Sequence, residues 1–353
     1  MPTSPTILRR ARTALCAAVL AGLHPAVIGA DLPKVEEFFA RLHAKGEFNG
    51  SVLVADAKHI QFHRAYGLAD EETRLPLEPN TPHRIASVTK GFTAVLALQA
   101  VERGELALDD SLLEHFPEVK RPDLSAITLR HLLTHSSGLV DFAPEARDGE
   151  PIGEALARGL ASAKTEFAPD ERFSYVNVNY TLVGGVLERV TRQPYRELLR
   201  VRILEPAGMV ATYLDINADR ERPRAIGYET QDGKLVRNEE PDLARFIGAG
   251  SSVSTAEDLY RFSRALAGDT LLSAASRQIM LTRQKDRYAM GCAIMNPGPG
   301  ETAQLFLGGM PGTSAVLARF NDGELTIVIL SNRHKVPTNR LVPQVHRLLS
   351  SRP

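Results

Sequence analysis

Ser87-Val88-Thr89-Lys90, running straight into Gly91-Phe-Thr-Ala-Val-Leu-Ala-Leu-Gln-Ala-Val101, is the stretch around which the chain is organised. The run after Lys90 is apolar nearly all round. It closes on Glu102 and Arg103 and meets a stop signal at Gly104. A helix without a polar face belongs in the middle of a domain. Ser87 stands at its N-terminus, where unpaired backbone N–H groups and the macrodipole favour developing negative charge. Lys90 follows three residues later, on the same helix face. A serine hydroxyl needs a base before it can attack a carbonyl. A lysine stripped of water has its pKa lowered until the neutral amine is present near neutral pH. Ser-x-x-Lys by itself arises about once by chance in a chain this long, and a capping serine beside a surface lysine would also account for it. Two observations favour the chemical reading. No other lysine here has a serine three places before it, and a buried helix has little use for an unpaired lysine.

Outward from that helix, the N-terminus reads as an export signal over residues 1–30. Arg9, Arg10 and Arg12 form a basic start, Ala14 to Leu23 is apolar, and Ile28-Gly29-Ala30 offers a cut before Asp31. The apolar run is too short to span a bilayer, so the expected location is periplasmic or secreted, with no stable membrane span after cleavage. From Asp31 onward only Cys292 remains, which excludes an internal disulfide. The 42 Lys and Arg balance 42 Asp and Glu, so charge points neither to nucleic acid nor to an anionic membrane surface. Oligomeric state is not legible.

After Asp31 a first helix is expected from Pro33 to about Ala44, with Val35, Phe38, Phe39 and Leu42 on one face. Ser51–Ala55 and about His59–Tyr66 read as a strand and its hairpin partner. Between about Leu112 and Tyr228 helical periods dominate, with no convincing β-alternation. Strand character returns in Tyr288–Met295, Thr313–Phe320 and Leu325–Leu330, and a last helix runs from Pro337 to about Leu349. The fold class expected is α+β. An antiparallel sheet is built from both ends of the chain (31–110 and 240–353), flanked by helices, with a mostly helical lobe (111–239) inserted between them.

That insert holds a second constellation, Tyr175-Val176-Asn177. Tyr175 is a candidate proton relay, and Asn177 a candidate hydrogen-bonding partner for a substrate amide or for the lysine. An aromatic core contact and a turn asparagine are the plain alternative. His131 and His135 stand four apart, but a zincin's intervening Glu is missing and no third ligand lies nearby, so no metal site is expected. The segment reads instead as a helix end turning at Gly138. Gly-x-Ser-x-Gly occurs nowhere, which argues against an α/β-hydrolase.

Ser87-Val-Thr-Lys90, His131–Leu139, Tyr175-x-Asn177, the Thr181–Thr212 stretch and Gly250–Leu259 occur in this order. Together they closely resemble the serine β-lactamase-related family: class C β-lactamases, D-alanyl-D-alanine carboxypeptidases and family VIII esterases. The resemblance runs from about Phe48 to Asn332. It implies a β-lactamase/transpeptidase-like fold and an acyl-enzyme mechanism without a cofactor or metal. It casts Ser87 as nucleophile, Lys90 as base, and Tyr175 as relay to the leaving group and the deacylating water. Asn177 would bind the acyl amide and help hold Lys90. The oxyanion would lie between the backbone N–H groups of Ser87 and Gly309.

The chain departs from the family at the third motif. Where the pattern calls for Lys-Thr-Gly or His-x-Gly, alignment on Pro311-Gly312 gives Phe306-Leu307-Gly308. Phe306 cannot greet a substrate carboxylate, and Val176 replaces a small polar residue. Phe306, Gly308 and Gly309 are therefore expected to line the substrate site. The leading expectation is hydrolysis of a less anionic ester, amide or small peptide. The alternatives are a true β-lactamase or D-alanyl carboxypeptidase using another cation, and a non-catalytic binding protein on the same scaffold, motivated by Phe306 alone.

Overall fold

The computed structural model describes residues 32–145 and 150–350, so the expected export signal at 1–30 lies outside the described residues. In chain order the helices that matter are α1 (Leu32–Ala44), α2 (Thr89–Glu102), α3 (Leu129–Leu133), α4 (Ile152–Ala161), α5 (Asn177–Thr191), α6 (Ala256–Ala267) and α7 (Thr338–Ser350). The strands that position the site are β1 (Gly50–Asp56), β2 (Ile60–Tyr66), β3 (His83–Arg84), β4 (Tyr213–Leu214), β5 (Tyr228–Gln231) and β6 (Lys234–Arg237). They continue with β7 (Ser252–Ser254), β8 (Ala293–Met295), β9 (Ala303–Met310), β10 (Thr313–Phe320) and β11 (Leu325–Ser331).

Six strands form one antiparallel sheet in the order β8-β9-β10-β11-β1-β2. The two ends of the chain meet where β1 pairs with β11, Gly50 opposite Ser331 and Asp56 opposite Leu325. Residues on a strand point alternately to opposite faces, and here both faces are covered. Val52, Val54, Val316 and Ile329 pack with Val35 and Phe39 of α1 and with Leu341 and Val345 of α7. Leu53, Ala315, Leu317 and Val328 join the larger core around α2. Burial on both faces explains the near-continuous apolar runs of β1, β10 and β11. The protein is thus α+β, with a central antiparallel sheet flanked by helices.

Helix α2 is enclosed, as its lack of a polar face requires: every residue from Thr89 to Ala100 is buried, Lys90 included. Its start is tighter than expected, because Ala86–Val88 form a 3-10 turn before the α-helix proper. Gly104 ends it with φ +69. Gly91 lets the sheet approach, since a Cβ there would fall 2.6 Å from the Phe306 ring.

The lobe expected to be helical carries more β structure than the sequence reading allowed. Strand β4 joins β3 and β7 in a small sheet, too short to show alternation. Strands β5 and β6 form a hairpin whose Asp232 and Gly233 both have positive φ, 50 and 75. Asp-Gly is the signature of a two-residue hairpin turn, so that signal was present in the sequence. Of the Tyr288–Met295 strand only Ala293–Met295 forms; β9, on which Gly309 was expected as part of an edge strand, lies one place in from the edge, and Gly308 and Gly309 break the alternation that would have marked its extent.

Candidate active site

The turn before α2 carries Ser87 into an open cleft, and the residue ahead of it, Ala86, is held at φ 45. A non-glycine residue in that region is strained, and strain of this kind gathers at functional positions. The cleft has two halves that meet at Ser87 and Gly309. One, about 570 Å³, is floored by Tyr288, Leu305 and Leu307 and rimmed by His334 and Lys335. The other, about 730 Å³, holds Asn177 and Phe246, with Glu229 and Glu239 on its rim. A larger cleft of about 1320 Å³, lined by several arginines, adjoins the second half through Arg237 and Glu240. It holds no activated nucleophile, so chemistry rather than size identifies the site.

Lys90 is fully buried, and its Nζ has three neighbours: Ser87 Oγ at 3.0 Å, Asn177 Oδ1 at 2.9 Å and the Ala249 carbonyl at 2.8 Å. Burial pushes its pKa down to about 7, against a smaller upward pull from Asp141. A neutral amine has two N–H donors and one lone pair. With the donors given to Asn177 and Ala249, the lone pair is left for the Ser87 proton. The Tyr175 hydroxyl shares the cleft with Ser87, and its pKa is pushed up to about 12, chiefly by the protein crowding around it, with Ser87 pulling the other way. It is therefore a neutral O–H near pH 7, able to pass a proton but not to act as a standing phenolate. The other edge of its ring opens to the cleft, leaving 44% of the residue exposed.

Asn177 is the first residue of α5. Its amide is oriented from both ends, Oδ1 toward Lys90 and Nδ2 toward Asp141 at 3.4 Å. Asp141 also accepts the Val178 N–H at 2.9 Å, capping the helix start. Asp141 was not picked out from sequence, since a cap reaching across 37 residues leaves no local pattern.

Ser87, Lys90, Tyr175 and Asn177 are thus brought together. Strand β9 closes the cleft. A Cβ on Gly308 would fall 2.0 Å from the Ile85 carbonyl and 3.2 Å from the Ser87 nitrogen, so only glycine lets the strand lie against the nucleophile turn. Gly309 faces open space beside Ser87. Two expectations need correcting. Phe306 does not line the cleft: it is fully buried, against Gly91 and edge-on to Phe262 at 6.0 Å. Leu307, 37% exposed, takes the cleft-facing place. Val176 is likewise turned into the core.

His131 and His135 have separate structural jobs. The His131 Nδ1 accepts the Thr128 N–H in a helix cap, and His135 lies buried beneath Tyr175. Among the described residues no group of three His, Cys, Asp or Glu side chains is placed to hold a metal ion. No described helix is long and apolar enough to cross a membrane.

Comparison with known proteins fits this geometry. Residues 35–349 match the family model described as Beta-lactamase. Penicillin-binding protein 4* of Bacillus subtilis is 27% identical over 329 residues, covering 85% of this chain and 72% of that protein. Esterase EstB of Burkholderia gladioli is 36% identical over 176 residues, 44% of each chain. Among solved structures, the octameric penicillin-binding protein homologue from Pyrococcus abyssi superposes with a TM-score of 0.78 at 26% identity, covering 91% of this chain and 77% of that one. The D-amino acid amidase from Ochrobactrum anthropi SV3 shares the fold with a TM-score of 0.78 at 23% identity, over 90% and 99% of the two chains. A match to the family model across nearly the whole described chain, on a cleft built around Ser87 and Lys90, means that this chain belongs to the beta-lactamase family of serine hydrolases.

Proposed function

We propose that the protein hydrolyses an ester or amide bond of a small molecule or peptide through an acyl-enzyme on Ser87. The observation that carries this reading is the buried Lys90 amine, whose two hydrogen-bond acceptors leave its lone pair for Ser87. Ser87 Oγ attacks the carbonyl carbon while its proton passes to Lys90 Nζ. The carbonyl oxygen becomes an oxyanion beside the backbone N–H groups of Ser87 and Gly309. As the carbonyl re-forms, the bond to the leaving group breaks, and that group takes the proton from Lys90 through the Tyr175 hydroxyl. Water then attacks the acyl-enzyme, giving a proton back along the same route, and Ser87 departs with it as the acid is released. Protein atoms supply every proton transfer, and no cofactor enters.

Asn177 places the acyl group in the half of the cleft it lines, and Tyr175 places the leaving group in the other. That second half has Leu305, Leu307 and Tyr288 along its floor and no cation on the strand. It favours an apolar, uncharged leaving group. A carboxylate-bearing substrate, a β-lactam or D-alanyl peptide, is the second reading, and Lys335 and His334 on the rim of that half favour it. With Phe306 in the core, the motive for a non-catalytic scaffold falls away. Export to the periplasm or medium is part of the proposal and rests on the pattern of residues 1–30. Amino-terminal sequencing of the protein from an expressing cell's outer fraction tests it, an intact residue 1 on cytoplasmic protein being the contrary result.

The deciding experiment is intact-protein mass spectrometry after brief exposure to p-nitrophenyl acetate, p-nitrophenyl butyrate and a penicillin. An acyl adduct absent from Ser87→Ala supports the mechanism, and the reagent that turns over chooses between the two readings. Folded protein without an adduct from any reagent overturns both.

A further inference from the structure

His135 is a buried titratable group in this region that the mechanism above leaves without a task. It is fully buried, with φ at 54, in the left-handed region. Its carbonyl accepts the Ser174 N–H at 2.8 Å, and its Nδ1 faces the Val176 N–H at 3.4 Å. One residue therefore holds the backbone on both sides of Tyr175. Its ring also lies 4.2 Å from the Tyr175 ring, centroid to centroid and tilted 34°, and within 5.1 Å of Tyr180 and Tyr288.

The tautomer follows from its neighbours. Ser137 Oγ donates to Asn179 Oδ1 at 2.8 Å, which turns the Asn179 amide nitrogen toward His135 Nδ1 at 3.4 Å. Two N–H donors converge on Nδ1, so that nitrogen is an acceptor and the ring proton sits on Nε2. Nε2 lies buried without a hydrogen-bond partner. Burial, then the nearby Lys90 charge, holds the imidazole well below the usual histidine value, in keeping with a neutral ring.

We propose that His135 is the positioning residue for Tyr175, clamping its backbone on both sides and its ring from beneath so that the hydroxyl is held in the cleft beside Ser87. This rests on the acyl-enzyme reading, in which Tyr175 carries a proton to the leaving group. That role gives His135 a signature that mere support of the fold lacks. A p-nitrophenolate leaves without help, whereas an alkoxide must be protonated as it departs.

The test compares kcat/KM for p-nitrophenyl butyrate and ethyl butyrate in wild type, His135→Asn, His135→Phe and Tyr175→Phe. Asn retains an acceptor near the Nδ1 position but no ring; Phe retains the ring but no acceptor. In each His135 variant the ethyl-to-nitrophenyl ratio is expected to fall at least tenfold, as it does in Tyr175→Phe. The double variant His135→Asn/Tyr175→Phe is expected to lose little more than Tyr175→Phe alone, because both act through one hydroxyl. Equal losses on both esters, or losses that multiply in the double variant, overturn the proposal. Nitrogen-15 chemical shifts of His135 in unmutated protein supply a test that needs no variant to fold. An unprotonated Nδ1 and a neutral ring at pH 6 are expected, and a protonated Nδ1 overturns the clamp. Wild type that forms no acyl-enzyme would instead remove the underlying mechanism, a result read separately in the adduct experiment.

Discussion

If Lys90 activates Ser87 as proposed, the pH dependence of acylation should show it. Lys90 is lowered by burial from an ordinary 10.5 to about 7, a displacement worth about 5 kcal/mol of preference for the neutral amine. If the neutral amine takes the Ser87 proton, the acylation rate follows its fraction. That fraction is about half at pH 7 and about 1% at pH 5, so the burst of p-nitrophenolate should slow roughly 50-fold between them and gain only about twofold from pH 7 to 9. Stopped-flow bursts with p-nitrophenyl butyrate across pH 5–9 measure this directly. An unshifted lysine would give a rate still climbing about tenfold per unit at pH 9. That outcome, or a rate flat from pH 5, would refute the assignment. Stability supplies an independent arm. The unfolded lysine holds its proton up to about 10.5 and the folded one only to about 7, so between those values the unfolded state binds more protons and stability rises with pH. The burial penalty is full below pH 7 and fades toward 10.5. Lys90→Met removes it, so the variant's stability relative to wild type should drop by about 2 kcal/mol between pH 7 and 9. The hydrogen bonds Met loses to Asn177 and Ala249 shift both ends equally, and the buried tyrosines cancel in the difference. A difference independent of pH would sink the buried-amine account.

Four further outcomes follow from strand β9. Gly308→Ala puts a methyl 2.0 Å from the Ile85 carbonyl and should cut acylation by roughly 100-fold, the cost of displacing a nucleophile by about an ångström. Gly309→Ala, pointing into open space, should lose far less, and equal losses in a burst assay would contradict the geometry. Phe306→Ala should destabilise the fold by about 3–5 kcal/mol in urea melts without changing the preference between neutral and carboxylate-bearing esters. Leu307→Lys should move that preference toward carboxylates by about fivefold, the worth of ~1 kcal/mol for a half-exposed ion pair, and an unchanged ratio would mean that position 307 does not meet the leaving group.

Much of the architecture was legible because burial leaves the plainest mark on sequence. Helix α2 and strands β1, β10 and β11 are covered on every side, and their residues read as unbroken apolar runs with clear ends. Ser87 and Lys90 were visible as the one polar pair that such a helix has no structural reason to keep. Asn177 was found by its spacing from Tyr175, although its perch at a helix start was not. What stayed hidden is what the chain assembles from distant places. The Ala249 carbonyl that accepts a hydrogen bond from Lys90 is backbone and carries no residue signal. Asp141 and His135 reach the site from another segment, and their neighbours in sequence say nothing of Tyr175 or Asn177.

Phe306 is the instructive error, because its correction needs no coordinates. A strand shows alternate residues to one face. Phe306 and Gly309 stand three apart, so they cannot both face the cleft; with Gly309 on the cleft side, Leu307 and Leu305 share it and Phe306 and Gly308 take the other. The structure obeys this parity: Leu305, Leu307 and Gly309 line the cleft, while Phe306 meets Gly91 across the back of the strand. Gly308 can be both in the site and on the far face because that face rests on the turn carrying Ser87, where there is no room for a side chain. The same parity moves specificity. On the proposed reading the strand position that meets the leaving group is 307, filled by leucine, so the cleft stays apolar at the strand for a reason different from the one Phe306 suggested. A cation can reach a substrate there only from outside the strand, and Lys335 on the opposite rim is placed to supply it. Whether ester or carboxylate-bearing amide is the better substrate therefore turns on the balance between Leu307 and Lys335, two residues that face one leaving group, and exchanging them one at a time should move the preference in opposite directions.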